Sequence, residues 1–345
     1  MNIPITSYEK NGFTGLANLG NTCFLNSCLQ ALSHTYELHK IGIQPKSGNS
    51  PDARIFNEWK ALVELMWSGN GVVKPLRFVS AVHEIAKQKD VEIFTGFTQN
   101  DVSEFLRFIL NCFHGAIARP VKVNISGKPK TNLDNLAVSC YQMLSATYSK
   151  EYSEIQQLFY GICVSEIKSP QTSLIYSQKP EQFFMVDLPI PPRTDGGAIS
   201  LANCFELHMM PEQLTGDNMW FNEKTGQKEV VEKRILFWSL PNILIITLKR
   251  FNARGGRIND NILFPLESLD LTKYVEGYRA NKYVYNLYAV CNHIGGQMGG
   301  HYNAYVKNDK ANKWILYDDE RVSIVENPAS IITPQAYCLF YRIMS

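Results

Sequence analysis

Near Leu158 the hydrophobic residues of this chain change their spacing, and that change limits the possible folds more than any other feature. Before it, apolar residues recur at helical intervals. Phe24, Leu25, Cys28, Leu29 and Leu32 make one stripe within Thr22 to Leu32. Ile55, Phe56, Trp59, Leu62, Val63 and Met66 make a second. Pro75 sits at a first-turn position and opens a third, with Phe78, Val79, Val82, Ile85 and Ala86 inward. A fourth starts at Thr98, whose hydroxyl can cap the backbone near Asp101, and buries Val102, Phe105, Leu106, Ile109 and Phe113. After Leu158 the texture is β-branched and aromatic runs broken by Gly, Pro and Asn. Asn242 to Arg250, Lys282 to Asn292, His301 to Lys307, Trp314 to Asp318 and Ala336 to Ile343 read as strands. Helices first and an antiparallel sheet afterwards define an α+β chain.

Composition then restricts the partners. A net charge of +2 offers no electrostatic grip on nucleic acid or on an anionic membrane. Lys122, Lys128 and Lys130 lie among Gly, Pro and Asn and read as a solvated loop. No apolar run approaches the ~18 residues of a membrane span. Met1 to Gly12 is polar, without the apolar stretch of a signal peptide, and Tyr341 to Ser345 carries no prenylation cysteine or retention signal. The cysteines (Cys23, Cys28, Cys112, Cys140, Cys163, Cys204, Cys291 and Cys338) form no C-x-x-C pair. Most lie in apolar segments, where the ordinary role is a small buried hydrophobe. Reduced thiols and an intracellular location fit this usage best.

Two segments carry chemistry. In Gly15-Leu16-Ala17-Asn18-Leu19-Gly20-Asn21-Thr22-Cys23, a glycine-rich turn delivers Cys23 into the first turn of a helix. Unpaired backbone N–H groups and the positive end of the dipole lower a thiol's pKa there. Asn18 lies in the same turn, so its amide can reach an oxyanion formed beside the sulfur. A cysteine at a helix start is more often structural; the surrounding Gly and Asn residues favour a nucleophile. The second segment runs from His293 to Tyr305 and holds four glycines that let an extended ligand approach closely. Its strand His301 to Lys307 and the strand Trp314 to Asp318 flank a turn. A hairpin centred on Asp309 and Lys310 sets His301 opposite Asp318 or its neighbour Asp319, with Cβ atoms about 5 Å apart. A carboxylate there fixes the imidazole tautomer, and the set suits acyl transfer through a thioester.

These residues resemble the signature boxes of the ubiquitin-specific proteases. The Cys23 segment is similar to the family's Cys box. Gly299 to Tyr305, followed by Trp314 to Asp319, looks like its His box. Thr98 to Leu106 resembles the family's Gln-Gln-Asp-Ala-x-Glu-Phe helix, with Asn100 in place of the second Gln. Leu248-Lys249-Arg250-Phe251 and Phe264-Pro265-Leu266 match the strand motif and its continuation. The matches are collinear from Gly15 to Tyr341.

The resemblance implies a papain-like cysteine protease in a single catalytic domain. A helical thumb would span about 14–158, fingers about 159–240 and a palm about 241–345. It implies a deubiquitinase acting on ubiquitin and ubiquitinated proteins, with Cys23 as nucleophile, His301 as base, Asp318 as third member, Asn18 as oxyanion donor and Asp319 assisting. Gln99, Asp101, Glu104, His293, Gly300 and Tyr302 fall at positions that hold ubiquitin's tail. For Asp101 and Glu104 the plainer alternative is a capping residue and a solvated helix position. The loops Asn252 to Asn261 and His293 to Gly299 correspond to blocking loops over the tail. Many family members bind zinc in the fingers through two C-x-x-C pairs. Here Ser165 to Gln178 and Asp217 to Gln227 contain no cysteine, and Cys163, Cys204 and His208 are too few and wrongly spaced. The expectation is no metal and no cofactor, with fingers packed by Phe183, Phe184, Trp220, Phe221, Phe237 and Trp238. A monomer without nucleic-acid or membrane partners, in cytoplasm or nucleus (or a host's cytosol, for a pathogen effector), completes the reading. The alternatives are a same-fold protease for another ubiquitin-like modifier and an inactive ubiquitin-binding scaffold.

Overall fold

The computed structural model describes residues 10–41, 50–193, 197–252, 254–278, 283–297 and 299–344. The residues before Lys10 in the N-terminal reading, Ala253 and Met298 in the two loops, Lys282 at its strand's start and Ser345 lie outside the described residues.

Helix α1, Cys23–Ser33, is buried along its whole length. A helix apolar or satisfied on every side belongs in the middle of a core. Its polar residues are accordingly bonded: Gln30 Nε2 donates to the Thr14 carbonyl at 2.8 Å. Around it pack α2, Pro51–Ser68, α3, Leu76–Gln88, and α4, Val102–Ile117. Pro75 stands at the N-cap of α3, just before its first turn. Helix α4 starts later than the sequence suggests. Asp101, not Thr98, is its cap, because the Ser103 amide donates to Asp101 Oδ1 at 2.7 Å. Helix α5, Asn132–Tyr148, opens on a Thr131/Asp134 capping box. Its sequence shows only a weak stripe, since Leu136, Ala137 and Cys140 alone are buried. Helix α6, Glu154–Phe159, ends the first helical run. The expected order of helices first is not complete, because a helix at Leu201–Met209, opened by a Ser200/Asn203 capping box, follows among the strands.

Strands β1, Gly161–Lys168, β2, Ile175–Phe183, and β4, Val231–Ser239, pair antiparallel with β1 in the middle, and Glu212–Leu214 closes the far side of β4. The face made by Ile162, Val164, Leu236 and Trp238 packs on α5. Phe183 and Phe237 meet at 5.2 Å, and Tyr176 stacks on Trp220 at 5.8 Å. Phe221, expected in this packing, is 55% exposed. It alternates with Trp220 along one short strand, so inward Trp220 forces Phe221 outward.

The larger sheet holds β3, Met185–Leu188, β5, Ile243–Leu248, β6, Val284–Gly296, β7, Gly299–Asn308, β8, Lys313–Asp318, β9, Arg321–Val325, and β10, Ala336–Ile343. Its order is β9-β8-β7-β6-β10-β5-β3, antiparallel except for the β5/β3 pair, with Leu269–Asp270 beside β6. Strand β5 explains the apolar run Ile243–Leu248, broken only by Thr247. Ile243 and Ile245 join the core with α1, while Leu244, Ile246 and Leu248 join a second core on the opposite face.

The segment before α1 docks on the turn between β8 and β9. The Leu16 amide donates to the Asp319 carbonyl at 2.9 Å. A Cβ at Gly15 would stand 2.6 Å from the Glu320 carbonyl oxygen, so only glycine permits the approach. Chain segments from the two ends of the sequence are joined there.

Candidate active site

Cys23 is the first residue of α1 and is 4% exposed. Thr22 precedes it without capping the helix, because its hydroxyl accepts from the Leu19 amide at 2.9 Å. The uncapped first turn leaves N–H groups facing the sulfur. Even so, the expected lowering of the thiol pKa is reversed. Burial pushes the Cys23 thiol up, the Tyr302 amide pulls it down, and the Asp319 carboxylate raises it again. The backbone N–H groups of Cys23 and Phe24 lower it further but do not offset burial. Cys28, further along α1, is fully buried beneath the strands near Cys291.

Helix α1 packs on β7, which carries His301. His301 Nε2 meets Asp318 Oδ1 at 2.5 Å, leaving Nδ1 as the nitrogen able to take a thiol proton. The hairpin register differs from the expected one. Asn308 pairs with Lys313 and Ala304 with Tyr317, so the turn is Asp309 to Asn312, one position later than drawn from the sequence. Asn308 Oδ1 causes this by accepting from the Lys310 and Ala311 amides, each at 3.1 Å. Asp318 therefore reaches His301 along the diagonal of the pair rather than straight across.

Asp319 turns away from His301. It has φ 52 and sits in the tight turn to β9, where Asp tolerates the left-handed region. Its Oδ2 accepts from Asn18 Nδ2 and its Oδ1 from Asn26 Nδ2, both at 2.8 Å. Asn18 Oδ1 holds the turn by accepting from the Gly20 and Thr22 amides at 3.0 and 3.2 Å. One N–H of Asn18 Nδ2 is thus spent on Asp319 and the second can face an oxyanion. Asn26 escaped the sequence reading; its only signal was an amide inside an apolar helix.

A cavity of about 290 Å³ opens nearby, lined by Gln99, Asp101, Phe251, His293, Gly300 and Tyr302 among others. Gln99 Oε1 crosses it to accept from the Gly300 amide at 2.6 Å. Asp101 is committed elsewhere than to a tail. Its Oδ1 takes Ser103 N and Oγ, and its Oδ2 takes Tyr337 and Tyr302 hydroxyls at 2.7 and 3.4 Å. The carboxylate is saturated as a cap, so the capping alternative describes it in this structure. Glu104 is exposed on the first turn of α4 and keeps its carboxylate open. Among the described residues no three His, Cys, Asp or Glu side chains converge as for a metal. Cys163 donates to the Glu181 carbonyl at 3.6 Å, Cys204 is buried in the second core, and His208 stacks on Phe237.

Comparison with known proteins gives concordant results. The family model described as ubiquitin carboxyl-terminal hydrolase matches residues 14–341. The human protein named ubiquitin carboxyl-terminal hydrolase 2 is 32% identical over 99% of this chain and 57% of its own length. The chicken protein of that name is 32% identical over 99% of this chain and 96% of its own. This chain therefore spans little more than half of the human protein. A solved SAGA DUB module containing Ubp8 and bound to monoubiquitin superposes with a TM-score of 0.73 at 22% identity. That match covers 98% of this chain and 70% of the other, and it shows the shared fold.

Proposed function

The chain belongs to the ubiquitin carboxyl-terminal hydrolase family, and from that membership we propose that it is a thiol-dependent deubiquitinase cutting after the C-terminal glycine of ubiquitin. One observation carries the reading. A cysteine at a buried helix start, a histidine paired with Asp318 at 2.5 Å and an amide held by Asp319 all sit on elements packed together. In the mechanism, His301 Nδ1 takes the proton of Cys23, and the sulfur attacks the glycine carbonyl. The second N–H of Asn18 meets the resulting oxyanion. His301 returns the proton to the departing lysine amine, which leaves a thioester on Cys23. Water, deprotonated by the same imidazole, hydrolyses that thioester and frees both ubiquitin and the thiol. Asp318 keeps Nδ1 aimed at the sulfur and stabilises the imidazolium.

The tail reaches Cys23 through the cavity bounded by Gln99, His293 and Gly300, so the Gln99–Gly300 bond opens on binding. Glu104 is the acidic residue available to the tail's arginines. Eight unpaired cysteines suit a reducing compartment inside the cell. The test is hydrolysis of C-terminal fluorophore conjugates of ubiquitin and of other ubiquitin-like modifiers. Ubiquitin is expected to be the preferred substrate. Preference for another modifier, or no cleavage of any, overturns the assignment.

A further inference from the structure

Arg257 lies in the loop after β5, bridged to Phe251, and its guanidinium reaches the end of β6. Nη1 donates to His293 Nδ1 at 2.8 Å and to the Gly295 carbonyl at 3.3 Å. Nη2 donates to the carbonyls of His293 at 2.8 Å and Pro334 at 3.3 Å, and Nε to Asn259 Oδ1 at 3.1 Å. A guanidinium carries donors only. His293 Nδ1 must therefore offer its lone pair, and the single proton of the neutral imidazole sits on Nε2. Arg257 dictates the tautomer.

Nε2 lies on the cavity side of the ring. A Cβ at Gly300 would stand 2.6 Å from it, so glycine leaves the imidazole its place in the cavity wall. The ring is 5% exposed and held between Tyr302 and Phe251, with centroids 4.7 and 5.6 Å away. Among the described residues Nε2 has no hydrogen-bond partner, although the ring's other nitrogen is fully engaged. A donor fixed on the cavity side of the ring, beside a glycine in the wall of the cleft, is placed to give its hydrogen bond to a carbonyl of an extended ligand.

We propose that Arg257 is a positioning residue: it sets the tautomer of His293 so that Nε2–H donates to a backbone carbonyl of the substrate's extended tail. This rests on the deubiquitinase reading for the identity of the tail. The groups facing His293 are Arg257 from the loop after β5, Asp101 from the start of α4, Tyr302 from β7 and Tyr337 from β10. Burial and then Arg257 hold the imidazole below its usual pKa, while Asp101 draws it upward. Protonating His293 places an N–H against the guanidinium and breaks the clasp, so acid weakens tail binding. Without Arg257 the sign reverses. The neutral ring then divides between two tautomers, and protonation restores a proton to Nε2 in every molecule.

The experiment has two arms on the full chain. In the first, ¹⁵N-histidine NMR without substrate at pH 7.5 should show His293 protonated at Nε2 alone in the wild type. Arg257→Met should show a mixture. A wild type protonated at Nδ1, or a variant indistinguishable from it, overturns the tautomer assignment. In the second, Arg257→Met should raise KM for a ubiquitin–fluorophore conjugate about fivefold to tenfold, the factor carried by one hydrogen bond, with kcat changed about twofold or less. Arg257→Lys, which keeps a donor for Nδ1, should recover part of the loss. As the pH is lowered stepwise below 7.5 through the protonation of His293, the wild-type KM should rise while that of Arg257→Met falls. Parallel pH profiles, or an unchanged KM, overturn the role in tail binding. A wild-type chain that cleaves no ubiquitin conjugate overturns the functional reading and the tail contact with it, whereas the NMR arm judges the tautomer independently.

Discussion

Removing the Asp319 carboxylate should slow turnover through Asn18 rather than through His301. Asp319→Gly is the clean perturbation, because φ 52 suits glycine and no new group is introduced. Two amide donors lose their acceptor: Asn18 Nδ2 and Asn26 Nδ2, each now at 2.8 Å. Hydrogen bonds to a charged group contribute about 1.5–3 kcal/mol, and the buried Asn26 falls back on weaker contacts. Those contacts are the Leu16 and Ala17 carbonyls at 3.3 and 3.4 Å. A modest loss of stability is therefore expected. Asn18 keeps its Oδ1 anchors in the turn, so its amide is loosened but not deleted. Deleting an oxyanion donor outright costs about 10²–10³ in kcat, and loosening it should cost about 10–10², with little change in KM. The discriminating assay is a double-variant cycle on a ubiquitin–fluorophore conjugate. Asn18→Ala combined with Asp319→Gly should be no slower than Asn18→Ala alone, since both act on one donor. Asp318→Asn, which acts through His301, should keep its own penalty in the Asn18→Ala background. Independent, multiplying effects of Asp319→Gly and Asn18→Ala would refute the coupling.

Three further outcomes are expected. With its thiol pKa raised above the ordinary value by burial, resting Cys23 should be held chiefly as the neutral thiol at neutral pH. Its alkylation by iodoacetamide should accelerate up to and beyond pH 9, and a plateau below pH 7 would contradict that picture. His34 is buried with its pKa lowered by burial to about 4, so its neutral form belongs to the folded state. The unfolded chain takes up that proton first, so stability is full above pH 6.5 and lost as pH falls towards 4, by roughly 3 kcal/mol. Urea denaturation at the two ends of that window reads the loss, and a flat profile would contradict it. EDTA should leave both the melting temperature and ubiquitin cleavage unchanged, and loss of one tightly bound zinc together with stability would contradict the metal-free expectation.

The parts of the fold set by local periodicity could be read from the chain. The stripe from Phe24 to Leu32 and the short apolar run in Ile243–Leu248 announce a helix and a strand with no knowledge of their neighbours. The position of Cys23 at a helix start was legible because the Gly- and Asn-rich turn runs directly into the apolar stripe from Phe24 to Leu32. What could not be read depended on competition decided at a distance. Thr98 and Asp101 are both residue types that can cap, and Asp101 takes the role with its second oxygen accepting from the Tyr337 hydroxyl arriving from β10. The His301–Asp318 hairpin was visible, but its register turned on the Asn308 side chain capping its own turn. The thiol pKa went the other way because desolvation is a property of packing and the dipole a property of sequence. Asn26 gave only the sign of an amide inside an apolar helix and Arg257 gave none, since each acts on a segment remote in the chain.

The central claim is that Cys23 forms a thioester with the end of ubiquitin. The most direct test is a ubiquitin probe whose C-terminal glycine is replaced by a thiol-reactive electrophile, followed by intact-mass measurement and peptide mapping. The account predicts one ubiquitin adduct, on Cys23, in the wild type and in Cys28→Ala, and none in Cys23→Ala. An adduct that persists in Cys23→Ala, or a wild-type protein that forms none, would contradict it.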